Sequence, residues 1–302
     1  MRLRETAGAF FVKDDFMNFD YHIANLNWRF RTDVSLVDNK ETEVFRNFKD
    51  DIEPEWNCHL EAVSQLPIPQ GILVKKTKEQ RIYLEDRFVW LELLSRECED
   101  AWFVAKYSLD SEAVVWLWIL DEKRPYTVRM EHIWSAVDFP FQMLKKEILT
   151  LHSAVIEHEG EAILFLAPSC TGKSTQAQLW EKYRGAKQVN GDKAGIYWKD
   201  DQIKACGLPF CGTSGICEDY ELPMKALVVL TQAKENQVTR LKGVKALMAI
   251  MANCFGHPEI PQCQTKIFQL LSKVLENVPV YLLACTPDVR AVEALEACLQ
   301  EG

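Results

Sequence analysis

Lys173, Ser174 and Thr175 close a segment, Ile163-Leu-Phe-Leu-Ala-Pro-Ser-Cys-Thr-Gly-Lys-Ser-Thr175, whose residue types suit the holding of a polyphosphate. The first turn of a helix offers unpaired amides and the positive end of a macrodipole, equivalent to about half an elementary charge, and both attract phosphate oxygens. Gly172 lets the main chain come close, and the Lys173 ammonium can reach the outer phosphate oxygens as a mobile point charge. The Ser174 hydroxyl is the expected protein ligand for a magnesium ion that otherwise keeps most of its waters, with Thr175 the weaker candidate. Ala167, Pro168, Ser169, Cys170, Thr171, Gly172, Lys173, Ser174 and Thr175 are therefore read as a nucleotide-binding loop, although Ala167 stands where the pattern G-x-x-x-x-G-K-[ST] has its first glycine. The competing account is an ordinary strand-to-helix turn with an exposed lysine.

Such a loop needs a buried strand before it and a helix after it. Ile163 to Leu166 is an apolar run of strand length, and Gln178, Leu179 and Trp180 continue an amphipathic helix opened by Lys173. Phosphoryl transfer further requires groups that hold the metal and orient or deprotonate the acceptor. Asp192, in the tight turn Asn190-Gly-Asp-Lys193, follows a short strand soon after the loop helix and could face both metal and phosphate; a turn aspartate capping its own backbone is the other account. His152 begins the strand expected to pair with the loop strand, so it is either a group near the transferred phosphoryl or a structural histidine. Arg240 could clamp phosphate or be an exposed strand arginine, and His158 and His257 have no evident partner in the sequence.

Residues 1 to about 66 give mixed signals, with alternation at Ile23 to Phe30 and acidic, loop-like segments at Asp38 to Glu43 and Lys49 to Glu55. From Gly71 onward short strands are predicted at Ile72 to Lys75, Ile82 to Leu84, Phe88 to Leu93, Trp102 to Tyr107, Val114 to Leu120 and Tyr126 to Met130, an antiparallel meander with Trp90, Trp102, Trp116 and Trp118 in its core. Phe139 to Leu149 reads as a helix and Leu151 to Ile156 as a strand; beyond the loop helix come a strand at Ala194 to Trp198, a loop at Pro209 to Pro223, a strand at Ala226 to Leu230, helices at Val244 to Cys254 and Ile267 to Leu275, and a closing strand and helix. The division expected is 1–138, a mostly β region that could recognise an acceptor, and 139–302, a nucleotide-binding domain.

A chain of 302 residues with 48% hydrophobic content can fill a real core. Its net charge of −9 disfavours nucleic acid and membrane surfaces. No apolar run reaches spanning length, the start Met1-Arg-Leu-Arg-Glu lacks a signal-peptide core, and the ten cysteines form no C-x-x-C pair, so a cytoplasmic protein with reduced, mostly buried thiols is expected.

Taken in order, Leu151-His-Ser-Ala-Val, an acidic turn with Gly160, the loop and Val189-Asn-Gly-Asp resemble the core of HPr kinase and its relatives, which are themselves related to the nucleotide-binding part of phosphoenolpyruvate carboxykinases. The resemblance covers about residues 140 to 300. It implies an α/β fold, a P-loop kinase-like core with an N-terminal, largely antiparallel β region, and an ATP- and Mg²⁺-dependent transfer of phosphate to a hydroxyl. The implied acceptor is a serine of a peptide or carrier protein, or a small molecule. By the same resemblance Lys173, Asp192 and His152 are the catalytic residues, and Ser174 and Asp192 hold the metal. HPr kinases assemble into rings, so a homo-oligomer is a further expectation. Two departures stand out: Gly191-Asp192 replaces a pair of aspartates, and Cys170 replaces a loop glycine. They leave a non-catalytic, nucleotide-binding regulator as the alternative function.

Overall fold

The computed structural model describes residues 16–37, 43–45, 54–95, 99–110, 113–121 and 128–301. Most of the segment Asp38 to Glu43, most of Lys49 to Glu55, and Tyr126 and Thr127 thus lie outside the described residues. The protein is mixed α/β, with two large sheets.

Period-two patterning builds the first half. β1 (Met17–Ile23) and β2 (Leu26–Thr32) form a hairpin whose two turn residues, Ala24 and Asn25, have φ of 54° and 60°, the conformation that matches the twist of a tight hairpin. After β3 (Leu36–Val37) come β4 (Trp56–Val63), β5 (Ile72–Lys76), β6 (Gln80–Glu85), β7 (Phe88–Leu94), β8 (Ala101–Ser108) and β9 (Val114–Leu120). The sheet order is β1-β2-β4-β9-β8-β7-β6-β5. β5 to β9 are the predicted antiparallel meander, but β4 inserts between β2 and β9 and pairs parallel to both, so the sheet is mixed. Its tryptophans also divide differently from expectation. Trp90 is buried, whereas Trp102, Trp116 and Trp118 are only partly covered, and the fully buried ones are Trp28, Trp56, Trp134 and Trp180.

Of the strand predicted at Tyr126 to Met130, the described Val128–Arg129 form β10, paired parallel with β3, and Met130 is corrected to the first residue of helix α1 (Met130–Ala136). Met130, Ile133, Trp134 and Val137 are all buried, a spacing of three and four residues that only a helix turns to one side. Helix α2 (Phe139–Lys145) ends earlier than predicted, and Leu149 already belongs to a strand.

The second half comprises β11 (Leu149–His158), β12 (Glu161–Leu166), α3 (Lys173–Arg184), β13 (Lys187–Asn190), β14 (Lys193–Lys199), β15 (Gln202–Gly207), β16 (Glu221–Gln232), β17 (Gln237–Leu241), α4 (Gly243–Met251), α5 (Pro261–Asn277), β18 (Val280–Cys285) and α6 (Val289–Glu301). The apolar strands β12, β16 and β18 run parallel, buried on both faces as their composition demands. Pairing of β12 with β16 closes the path β11-β12-β16-β15-β14 on itself. β13 and β14 pair in turn along one edge of β11, with Asn190 opposite Val155 and Lys193 opposite His152. On the other edge β12 runs out at Leu166, opposite Ser153, and the segment after α4 takes over: the His152 amide donates to Asn253 O at 2.8 Å and the Phe255 amide to Thr150 O at 3.0 Å.

An aromatic seam joins the halves. Trp28 stacks on Trp56 at 5.2 Å and on Phe139 at 5.1 Å, Trp134 meets Phe139 edge-on at 5.3 Å, and Phe139 meets Phe210 at 5.6 Å. Each such contact adds about 0.5–1.5 kcal/mol beyond the area it buries. A buried polar chain crosses the same boundary. The Tyr107 hydroxyl donates to Asp138, His257 Nε2 bonds the same carboxylate, His257 Nδ1 lies 3.2 Å from Glu259, and Glu259 pairs with Lys75 at 3.2 Å.

Burial disfavours the charged form of His257, but the Asp138 carboxylate and its hydrogen bond prevail and raise the pKa from 6.5 to about 9. A raised folded-state pKa contributes stability that is complete below the unfolded value of 6.5 and is lost as pH climbs through about 9. The expected loss is of order 2–4 kcal/mol. Melting temperature measured from pH 6 to 10 should therefore fall by several degrees across that window, and His257→Gln should lower stability at the acid end and flatten the fall.

Candidate functional site

Ala167 follows directly on Leu166, the last residue that β12 pairs with β11, so the chain leaves the sheet beside His152. Pro168, Ser169 and Cys170 are exposed, and Thr171 turns back through a 3.4 Å bond from its amide to Pro168 O. Cys170 has φ 64° and Gly172 φ 118°. At Gly172 a Cβ would meet nothing within 4 Å, so glycine is required there by the backbone conformation and not by space. Cys170 takes up the left-handed conformation at a cost of about 1–2 kcal/mol. No side chain caps α3, so its first-turn amides have no partner within the helix.

Lys173 is buried and folds back over the loop. Its Nζ donates to Ala167 O at 2.8 Å and lies 3.1 Å from His152 Nε2. An ammonium can only donate, so His152 accepts at Nε2 and carries its proton on Nδ1. The His152 pKa is lowered from 6.5, by burial first and then by the charge of Lys173, with Asp192 opposing. The Lys173 pKa is lowered as well, again chiefly by burial. His152 is thus neutral at neutral pH and accepts from Lys173.

Asp192 completes the cluster. Its Oδ1 lies 3.5 Å from His152 Nε2 and its Oδ2 3.3 Å from Lys193 Nζ. The turn is capped by a neighbour: Asn190 Oδ1 accepts from the amides of Asp192 at 2.9 Å and Lys193 at 3.0 Å. That leaves the Asp192 carboxylate to side chains. The structure therefore brings Lys173, His152 and Asp192 together at the loop. Arg240 lies elsewhere, exposed on β17 and opposite Tyr281.

Sequence reasoning overlooked several residues here. Lys193 Nζ sits 3.9 Å from the Phe210 ring centre and 5.2 Å from that of Phe255, cation–π contacts that fix it beside Asp192. Asn190 was legible as a turn former, but its buried side chain, which also donates to Leu208 O at 3.2 Å, was not. His257 showed no partner in the sequence because Asp138, which holds its Nε2, is 119 residues away. Two cavities flank the cluster. One, of about 380 Å³, lies between Cys170 to Gly172 and the carboxyl ends of β16 and β18, at Gln232, Cys285 and Thr286. The other, of about 650 Å³, lies between the halves and reaches Lys193, Phe210 and Phe255.

Among the described residues, no group of three or more His, Cys, Asp or Glu is arranged to hold a metal ion unaided. No helix among them is long and apolar enough to cross a membrane. All described cysteines are free; Cys58, Cys206, Cys217 and Cys263 are buried, while Cys170 stands exposed in the loop.

The family model for the SynChlorMet cassette protein ScmC matches residues 115–300, and the chain belongs to that family. Among solved structures, the HPr(Ser) kinase/phosphatase from Coxiella burnetii is similar over 50% of this chain and 88% of that one, at 12% identity and a TM-score of 0.31, a likeness too slight to bear on function. No curated protein matches the chain.

Gly191 stands where the resemblance calls for a second aspartate, and the space there is closed. A Cβ would lie 1.8 Å from Ser214 Oγ and 2.8 Å from Cys211 O. Gly191→Asp should therefore displace the turn at Gly212–Ser214 and cost about 1–3 kcal/mol. Denaturant midpoints of the variant and parent would measure this; an unchanged midpoint with a gain of activity would contradict it.

Proposed function

We propose that the protein is an ATP- and magnesium-dependent phosphotransferase acting on a hydroxyl, with a P-loop core of the HPr kinase type. The observation that carries this reading is the convergence of Lys173, His152 and Asp192 on an uncapped helix start. Loop amides and Lys173 would neutralise charge on the outer phosphates. The Ser174 hydroxyl and the Asp192 carboxylate are hard oxygen donors of the kind magnesium takes, and with no protein cage among the described residues the ion would bind together with phosphate oxygens. Magnesium would supply charge neutralisation and phosphate orientation. His152, once Lys173 turns to phosphate, has a free Nε2 beside Asp192 and can accept the acceptor's proton, the carboxylate then stabilising the imidazolium. The cavity at Gln232 and Thr286 offers room for the rest of a nucleotide, at the carboxyl ends of parallel strands where ligands of α/β sheets bind.

Gly191 favours a second reading, a nucleotide-binding regulator. With one carboxylate in place of two, and no space for the other, binding without turnover is chemically coherent. The two readings part on product: both bind ATP with magnesium, and only the kinase releases ADP faster when a serine-containing acceptor is added.

Lys173→Ala should lower turnover by about 10²-fold or more. The acid limb of kcat/KM should fall below pH 6.5, in keeping with the lowered His152 pKa, and should vanish in His152→Gln. Turnover within a few-fold of the parent for Lys173→Ala would remove that lysine from the mechanism.

A further inference from the structure

We propose that the free edge of β5 and the cavity beside it form a docking groove for an extended acidic peptide, the phosphoryl acceptor. β5 is the last strand of its sheet, and among the described residues only β6 pairs with it. Among the described residues no strand pairs with its outer edge, which on either side of the register shift between Leu73 and Lys75 is a template for a further strand. At the start of the strand the exposed side chains are aliphatic, Ile72 at 75% and Leu73 at 47%, with Ile68 just before it at 72%, while Lys76 at its end is the kind of charge that blunts an edge against uncharged strands. Ile72 and Leu73 are successive residues pointing to opposite faces, so both faces of the strand are open at this end.

Charge selects the occupant. In a chain of net charge −9, Lys75 and Lys76 end the strand and Lys78 follows in the turn; Lys75 is paired with Glu259, and Lys76 and Lys78 are exposed. A second copy would bring a like cluster to the same edge, whereas an acidic, partly aliphatic peptide matches both features. The strand also leads somewhere. Lys75, Thr77 and Lys78 line the 650 Å³ cavity together with Lys193, Phe210 and Phe255; its acidic residues are Glu79 and Asp138, the latter engaged by Tyr107 and His257. Lys193 touches Asp192, so a residue lowered into the cavity approaches the His152 cluster. That volume suits several residues of a chain and leaves a free amino acid loosely held. Docking itself stands on the edge and the lysines; only the fate of the peptide's hydroxyl rests on the phosphotransferase reading.

The test uses the full chain and a fluorescein-labelled peptide about ten residues long, alternating glutamate and valine around a central serine, read by fluorescence anisotropy. The parent should bind it, and a version with lysine for glutamate should not bind. The double variant Lys76→Glu, Lys78→Glu should weaken binding by about tenfold or more, while its affinity for ATP and magnesium by calorimetry stays that of the parent. A peptide methylated on alternate backbone amides along one edge should lose binding, since strand pairing needs those donors. The proposal is overturned if the acidic peptide does not bind the parent at millimolar concentration, if the double variant or the methylated peptide binds as well as its control, or if sedimentation reveals a parent dimer that Ile72→Asp dissolves. Should ATP give no heat while the peptide pattern holds, the phosphotransferase reading falls and the docking groove stands.

Discussion

The departure of β12 from β11 at Leu166 is the constraint around which the rest is arranged. Up to Ser153 the two strands share a ladder; beyond it the β11 backbone still needs partners, because a buried amide or carbonyl left unpaired costs about 1–3 kcal/mol. Asn253 and Phe255 supply them. The same break frees residues 167 to 172 to form a loop in place of more sheet, and it leaves His152 at the margin where one partner ends and the next begins. A site built at a break in a ladder inherits the rigidity of the sheet on both sides.

The second determinant is how positive charge is held near that break. Lys173 is anchored by a carbonyl and an imidazole, Lys193 by two aromatic faces and a carboxylate. Neither is a freely moving surface lysine, and after burial their charges add to the lowering of the His152 pKa, against Asp192. Asp192 is the single carboxylate that balances the group. Gly212 passes so close that a Cβ on it would lie 2.9 Å from Asp192 Cβ, and the turn at Gly212–Ser214 closes the neighbouring position against a second. The aromatic seam carries this arrangement into the other half of the molecule, since Phe210 touches both Phe139 and Lys193.

Much of this was legible in the residues. Apolar runs at Ile163 to Leu166 and Ala226 to Leu230 fall in buried parallel strands, and the meander from Ile72 to Leu120 follows its alternation. The α1 helix was legible too, in the spacing of Met130, Ile133, Trp134 and Val137, but it lies against a strand-like start that drew the reading the other way. The parallel insertion of β4 left no local trace. Its neighbours are chosen by the crossover of the chain and by Trp56 packing on Trp28, neither of which has a period.

By itself the sequence determined the local chemistry: where a backbone must take positive φ, which residues open α3, which strands are apolar enough for burial on both faces, and that Lys173, His152 and Asp192 are of types that can handle phosphate and protons. Only the tertiary structure decided that these three meet, that Asn190 caps the turn so that Asp192 is free, that Lys193 lies between Phe210 and Phe255, and that His257 finds Asp138. The physical reason is one of range. Dihedral preference and hydrophobic period act over a few residues, whereas hydrogen bonds, cation–π contacts and pKa shifts depend on distances in space that the chain sets only when its sheets have closed.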